Sequence, residues 1–99
     1  MEKRRPHYRL ELIRTAVAQH RELAFTASAR TGVMEMGLSL EQALLVIADL
    51  ESRAFYKSMT TLVDHKLWQD VYHAPTPAGM AYVKFTLRDG SVVISFKRL

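Results

Sequence analysis

The feature that most constrains the fold is a strictly alternating segment that runs into a two-residue turn near the C-terminus. From Tyr82 to Arg88 every second residue faces the same way and is apolar, and the alternation resumes from Ser91 to Lys97. A period of two is typical of a β-strand with one buried face. The dipeptide Asp89-Gly90 between the runs favours the tight turn of a hairpin. The chain is therefore expected to contain an antiparallel sheet with one covered face.

The turn also predicts the register of this hairpin. A two-residue loop sets Phe85 opposite Ile94, and the other apolar pairs fall on the same face, which supports the register. The polar face then has Tyr82 opposite Lys97 and Lys84 beside them, with facing Cβ atoms about 4.5–5.5 Å apart. Two interpretations of this face remain open. It is either a solvated sheet surface or a platform where the cations hold a phosphate and the phenol donates a hydrogen bond or a proton.

The first half of the chain has the patterning of helices. Apolar residues recur at helical spacing from Arg9 to Gln19, and a second short helix is predicted from Ala27 to Met36. Ser39 and Gln42 have the spacing of a capping box, which predicts a third, largely buried helix to about residue 50. Residues 22–26 fit either a short strand or a connection.

The second half is predicted to be β-structure. Phe55–Leu62 and Leu67–His73 are rich in aromatic, threonine and valine residues. Residues 74–79 contain two prolines, which a central strand does not tolerate, and are predicted to form a turn or loop. At 99 residues the chain is expected to be a single domain, residues 1–99. The predicted fold class is α+β, with N-terminal helices packed on a C-terminal antiparallel β-sheet.

Composition excludes several classes of protein. The chain has no cysteine, which leaves no disulfide framework and no thiolate metal site. The longest apolar run, Ala43–Ala48, is far shorter than the ~20 residues of a membrane-spanning helix, so no membrane partner is expected. His7, His20 and His73 show no metal-ligand spacing, so we expect no metal and no other cofactor. The expected location is the cytoplasm.

The net charge of +4 is unevenly distributed along the sequence. Residues 34–51 carry four acidic groups and no basic one, whereas each flanking segment carries seven basic and three acidic groups. A basic domain is typical of proteins that bind a polyanion such as nucleic acid. Many small domains of this charge have no such partner, so the charge favours nucleic acid without deciding it.

Several blocks of residues carry a more specific signal. The densest is Phe55-Tyr56-Lys57-Ser58-Met59-Thr60-Thr61, followed by Asp64-His65 and by Trp68-Gln69-Asp70-Val71-Tyr72. The N-terminal Met1-Glu2-Lys3-Arg4 with Pro6-His7 belongs to the pattern, as does the C-terminal Val93, Ser95-Phe96-Lys97. In order and spacing these blocks resemble the motility quorum-sensing regulator (MqsR) toxin family. The resemblance is sparse from Ala16 to Asp49.

The resemblance implies an activity. It suggests the mRNA interferase toxin of a type II toxin–antitoxin pair, a metal-independent endoribonuclease with a RelE-like fold. Family members cut messenger RNA at short GC-containing triplets, and a separate zinc-binding antitoxin protein neutralises them. The residues tied to activity in the family correspond here to Lys57, Gln69 and Tyr82, and the resemblance implies that Met59 and Lys97 contribute.

Attack by the 2′-hydroxyl explains why such residues are needed. The protein must align the attack, stabilise the added negative charge and move two protons. Lys57, Lys84 and Lys97 can supply positive charge, and Gln69 can orient the phosphate by a hydrogen bond. As a general base, Lys57 would need a pKa well below its usual ~10.4, which nearby cations favour and bound phosphate opposes, so charge stabilisation is preferred. Tyr82 is a general acid or a hydrogen-bond donor to phosphate.

Three further side chains have two interpretations each. His65, grouped with the substrate-binding residues, either assists proton transfer or is a turn residue beside Asp64. Tyr56 and Trp68 stack on bases or belong to the core, and the core is favoured for Trp68. Met59 shares the strand face of Lys57, as an apolar contact for a base or ribose.

A shared site also makes a geometric demand. Lys57 and Gln69 emerge on one face only if the loop between their strands has an odd length or a bulge intervenes, because a four-residue loop would place them on opposite faces.

The alternative function is a catalytically inactive module on the same fold that binds RNA or an antitoxin. The fold alone does not distinguish an endoribonuclease from such an inactive module.

Overall fold

The structure, a computed structural model, describes all 99 residues as three helices followed by a sheet, with one short N-terminal strand. The helices are α1 (Leu10–His20), α2 (Ala27–Glu35) and α3 (Leu40–Ala48). The strands are β1 (Glu2–Lys3), β2 (Phe55–Thr60), β3 (Trp68–Thr76), β4 (Gly79–Arg88) and β5 (Ser91–Arg98). All neighbouring strands are antiparallel, in the order β1-β2-β3-β4-β5. The predicted α+β class is confirmed.

The C-terminal hairpin has the register that the sequence predicts. Phe85 faces Ile94 on one side of the sheet, and Tyr82 faces Lys97 on the other. Both turn residues have positive φ, 52° and 79°, as a two-residue turn of this kind requires. The turn chemistry and the apolar pattern therefore specify the same pairing.

The helices begin and end where local sequence signals place them. The Ser39 hydroxyl accepts a hydrogen bond from the Gln42 N–H (3.0 Å), and the Gln42 side chain accepts one from the Ser39 N–H (2.9 Å). Gly37, with φ of 74°, turns the chain after α2. None of the three helices is by itself long and apolar enough to span a membrane; only the sharply bent pair of α2 and α3 has the combined length and composition.

The helices cover one face of the sheet and form the core there. Alternate residues of three strands point towards them: Tyr72, Ala74, Ala81, Val83, Phe85, Val92, Ile94 and Phe96. The predicted stripe of α1 packs in this core, as do the apolar residues of α3: Leu10, Ile13, Ala16, Val17, Ala43, Leu44, Val46 and Ile47. The alternate side chains of the same strands are thereby left on the opposite face.

The outer edge of β5 is covered by the connection between α1 and α2. This stretch, undecided from sequence, is a 3₁₀ turn at Arg21–Ala24 followed by a bridge of Phe25 to Ile94. The N–H and hydroxyl of Thr26 both donate to the Ile94 carbonyl, at 3.3 and 3.0 Å. These bonds satisfy backbone groups that an edge strand otherwise exposes.

Gly32 allows α2 to lie directly on β5. A Cβ at this position would overlap the carbonyl oxygen of Phe96 and lie 2.9 Å from its carbonyl carbon. The obstacle is backbone, which has little freedom to move aside. Only glycine fits at this contact.

Gly32→Ala is expected to destabilise the fold, although alanine is favoured over glycine in a helix by about 1 kcal/mol. The added methyl group forces α2 away from β5, and overpacking costs about 1–3 kcal/mol. Urea unfolding followed by circular dichroism measures the change. Met34→Ala, exposed on the same helix, is the control and should stay within about 0.5 kcal/mol of the parent. A Gly32→Ala protein as stable as the parent would contradict the close contact.

The predicted loop over residues 74–79 is partly wrong, because β3 continues through Pro75 to Thr76. Pro75 faces Met80 in β4, and the turn itself is only Pro77-Ala78. The pairing of β2 with β3 ends at Tyr72, so β3 has no neighbour on that side at Pro75. The strand is locally an edge there, and a missing N–H costs no ladder hydrogen bond.

A buried carboxylate ties the N-terminal segment to the sheet. Asp70 is fully buried and accepts hydrogen bonds from the backbone N–H of His7 (3.0 Å) and Tyr8 (2.8 Å) and from the Ser58 hydroxyl (2.6 Å). The Tyr8 hydroxyl donates to the Trp68 carbonyl, and the His7 ring stacks on the indole at 5.1 Å. Trp68 is thus half-buried beneath this segment, and its assignment to the core is wrong.

Asp70→Asn is expected to destabilise the protein by about 1–3 kcal/mol, because the amide NH₂ cannot accept and leaves a buried donor unpaired. Urea unfolding measures the loss, and amide hydrogen exchange at His7 and Tyr8 should accelerate. Asp89→Asn is the matched control, since Asn-Gly suits the same turn. Equal stability of Asp70→Asn and the parent would count against this network.

Candidate active site

The residues singled out from the sequence gather on the sheet face opposite the core. Facing residues of antiparallel strands share a face. The observed pairings give three adjacent rows across the strands: Glu2–Met59–Gln69, then Lys57–Val71–Lys84–Ser95, then His73–Tyr82–Lys97. This surface, called the cationic face below, holds all the predicted catalytic residues.

Lys57 and Gln69 lie on the same face, as a shared site requires. Met59 faces Gln69, and Lys57 faces Val71, one pair further along. The loop is residues 61–67, an odd number, because β2 ends earlier and β3 begins later than predicted. A bulge also occurs, but at Tyr56, before Lys57. The expectation that Lys57 and Gln69 share a face is confirmed, and the odd length of the loop is the reason.

The bulge at Tyr56 creates an aromatic row that sequence reasoning missed. The Tyr56 ring stacks on His73 with centroids 4.2 Å apart, and His73 lies 5.9 Å from Tyr82. The Lys97 Nζ stands 5.3 Å from the centre of the Tyr82 ring. A signal for this row was present in the sequence. If Pro77-Ala78 is taken as a two-residue hairpin turn, the register it sets places His73 opposite Tyr82.

Lys57 is held by a carboxylate from the N-terminus. Its Nζ donates to Glu2 Oε1 at 2.6 Å, and its side chain is only 20% exposed. This hydrogen bond, together with the charge of Glu2, raises the pKa of Lys57, and desolvation only partly opposes the shift. Conversely, the bond to Lys57 lowers the pKa of Glu2. The raised pKa keeps Lys57 protonated and favours its preferred role as a charge stabiliser over that of a general base.

Tyr82, Lys84 and Lys97 line one cleft of about 200 Å³, which Ser28 of α2 helps to close. Two ammonium groups and a phenol in one cleft suit a phosphate. Lys57, in β2, lies two strands from Tyr82 and Lys84 in β4, about 9–10 Å at the backbone. Lysine side chains are long enough to reach towards a common substrate across that distance.

His65 stands apart from the cationic face. It lies exposed in the loop between β2 and β3, and no hydrogen bond joins it to Lys57 or Gln69. In the same loop the Thr61 hydroxyl accepts from the Asp64 N–H and donates to the Asp64 carbonyl, each at 2.9 Å. No three histidine or acidic side chains come together as metal ligands.

The largest cavity lies elsewhere and has the opposite charge. It measures about 510 Å³, lies between the end of α3 and the turn after β3, and includes Asp49 and Glu51. Its lining includes a single basic residue, Arg53, which pairs with Glu51 at 3.2 Å. A polyanion is better accommodated on the cationic face.

The sequence profile described as "Motility quorum-sensing regulator, toxin of MqsA" matches residues 5–98. The chain belongs to this toxin family. It is also 40% identical over 97 residues to the mRNA interferase toxin MqsR of Escherichia coli (strain K12), which covers 98% of both chains. The resemblance drawn from short blocks is confirmed, and it extends through the middle of the chain. The description of the MqsR family pairs its toxins with MqsA.

Glu2→Gln is expected to lower the pKa of Lys57, because the carboxylate favours the charged ammonium. The stabilising effect of the pair is present above the pKa of Glu2 and is lost as pH rises through that of Lys57. Titration of the Lys57 ¹³Cε resonance by NMR measures the shift. Glu11→Gln, which removes an exposed carboxylate of α1, should leave the midpoint unchanged. An identical midpoint in Glu2→Gln would contradict the ion pair.

Proposed function

We propose that the chain is an mRNA interferase, the endoribonuclease toxin of a type II toxin–antitoxin system, which cleaves messenger RNA by attack of the adjacent 2′-hydroxyl. The observation that carries the proposal is the cationic face. On one side of the sheet of an MqsR-family toxin, it combines three lysines with an amide and a phenol. The relative in E. coli, named as an mRNA interferase, supports the same activity.

The three lysines supply positive charge where the reaction develops negative charge. The phosphorane that forms during attack carries extra negative charge, and fixed cations stabilise it more than they stabilise the ground state. Lys57 remains protonated because Glu2 raises its pKa. Lys84 and Lys97 add charge in the neighbouring cleft. Lys57 is therefore proposed as a charge stabiliser.

The remaining residues orient the substrate and protonate the leaving group. Gln69 hydrogen-bonds the phosphate, and Met59, which faces it, packs against a base or ribose. Tyr82 is proposed as the general acid for the leaving 5′-oxygen, with Lys97 close enough to contact the same phosphate. His65 is proposed to contact RNA further along the chain, from its exposed loop.

Finer properties are proposed on the family resemblance. Residues 1–99 form one RelE-like domain that acts in the cytoplasm without metal or other cofactor. The substrate is cut at short GC-containing triplets. The antitoxin that neutralises the chain is a zinc-binding protein.

Wild-type protein is expected to cut a defined RNA at selected sites with EDTA present, leaving a 2′,3′-cyclic phosphate and a 5′-hydroxyl. Lys57→Ala should slow cleavage by about 10²–10³-fold through loss of charge stabilisation. Tyr82→Phe should slow it by about 10²-fold or more through loss of the acid. Arg53→Ala, which removes a cation from the cavity at the end of α3, is the control and should cut at the wild-type rate.

Intact RNA with the wild-type protein, together with binding that weakens as salt rises, would indicate a catalytically inactive RNA-binding module on this fold. Cleavage that EDTA abolishes would overturn the metal-independent mechanism alone.

A further inference from the structure

Lys57, Gln69, Tyr82, Lys84 and Lys97 include no group that accepts the proton of the attacking 2′-hydroxyl. Gln69 does not titrate, and the ammonium groups of Lys84 and Lys97 have donors only. The Glu2 contact raises the pKa of Lys57 and keeps it protonated. Tyr82 serves the leaving group at the other end of the reaction. A proton acceptor is therefore missing from the site.

Glu2 supplies a carboxylate at the required place. It faces Met59 in the pairing of β1 with β2, so it lies on the cationic face. Its Oε1 is 2.6 Å from the Lys57 Nζ, and Oε2 has no hydrogen-bond partner. The side chain is 53% exposed and open to a substrate. The one other acidic residue in the strands, Asp70, is buried on the opposite face.

His73 is the other group on this face that can accept a proton, but it is poorly placed. Its Nε2 is buried and has no hydrogen-bond partner. The ring lies against Tyr56 at 4.2 Å and near Tyr82 at 5.9 Å. His73 faces Tyr82 in β4 and so lies beside the proposed acid, whereas Glu2 lies on the other side of Lys57 and is 53% exposed.

The order of the strands gives Glu2 and Tyr82 complementary positions. Glu2 is in β1 and Tyr82 in β4, with Lys57 in β2 between them. In an in-line displacement the attacking and leaving oxygens lie on opposite sides of phosphorus. A phosphate bound at Lys57 therefore has a carboxylate towards one side and a phenol towards the other.

We propose that Glu2 is a catalytic residue, the general base of the cleavage step; this inference rests on the proposed function. Its carboxylate takes the 2′-hydroxyl proton as the bond from the 2′-oxygen to phosphorus forms. The bond from phosphorus to the 5′-oxygen breaks, and that oxygen takes the proton of Tyr82. The products are a 2′,3′-cyclic phosphate and a 5′-hydroxyl. Glu2 then loses its proton to water, and Tyr82 regains one.

The ion pair in the free protein prepares both partners. Lys57, by its hydrogen bond and its charge, lowers the pKa of Glu2, with Arg4 and the N-terminal ammonium acting in the same direction. The paired carboxylate is therefore ionised but only weakly basic, and it becomes a better proton acceptor once it leaves Lys57. When the substrate phosphate takes the place of Glu2 at Lys57, the carboxylate is released next to the bound nucleotide.

Three variants test the proposal, made in protein with no residues added before Met1. Cleavage is measured on an RNA whose wild-type cut sites are mapped, and affinity on the same RNA with a 2′-deoxy nucleotide at the cut site. Glu2→Gln should lower kcat by about 10²-fold or more, with affinity unchanged or tighter, and Glu2→Asp should retain part of the activity. Added formate or acetate should restore cleavage by Glu2→Gly in proportion to its concentration.

Glu11→Gln is the matched control. It also removes an exposed carboxylate from an ion pair, with Arg9 at 3.2 Å, but in α1, among the helices that cover the opposite face of the sheet. Its kcat and affinity should equal those of the wild type. Urea unfolding of all variants separates a loss of fold from a loss of chemistry.

The outcomes that overturn the inference are distinct from those that overturn the proposed function. Cleavage by Glu2→Gln at or above the wild-type rate would show that Glu2 only competes with phosphate for Lys57. A slow Glu2→Gly protein that neither formate nor acetate restores would indicate a structural role. Either result overturns the general base while the wild type still cleaves. Intact RNA with the wild type overturns the proposed function and the inference together.

Discussion

The buried carboxylate of Asp70 joins parts of the molecule that are far apart in the chain. It accepts from Ser58 on the neighbouring strand and from the backbone of His7 and Tyr8. Because a buried donor without a partner costs about 1–3 kcal/mol, these three groups are held firmly together. With His7 and Tyr8 fixed in this way, the segment before them pairs with the edge of β2 as strand β1. Glu2 reaches Lys57 as a consequence, so the geometry of the site depends on a bond in the interior.

The two faces of the sheet are positioned by one register. The pairing that sets Phe85 opposite Ile94 in the core also sets Tyr82 opposite Lys97 on the cationic face. A slip by one residue would exchange the two faces completely, so apolar burial enforces the alignment of the polar residues. The relative positions of the polar side chains on the cationic face are thus fixed by the packing of the core.

Charge is separated between the two sides of the molecule. The acidic residues around α3 lie near the large cavity behind the sheet, whereas the lysines occupy the cationic face. The lysines attract a polyanion to the cationic face, whereas the lining of the cavity carries two acidic residues and one basic one. Glu2 is the exception, a carboxylate among cations, and its bond to Lys57 makes it a part of the site instead of a barrier to RNA.

The sequence by itself determined the features that depend on neighbours in the chain: the hairpin register, the capping box at Ser39, the α1 stripe and the toxin family. It also stated the condition under which Lys57 and Gln69 share a face, an odd-length loop or a bulge, but its own strand bounds left a four-residue loop. Only the tertiary structure decided the Tyr56–His73 stack, the strand through Pro75 and the pairing of Glu2 with Lys57, which are 55 residues apart. Local patterns follow from backbone sterics and side-chain period, which a short window contains. Long-range pairs are chosen by the burial and hydrogen bonding of the whole chain, such as the Asp70 network, and no short window contains that information.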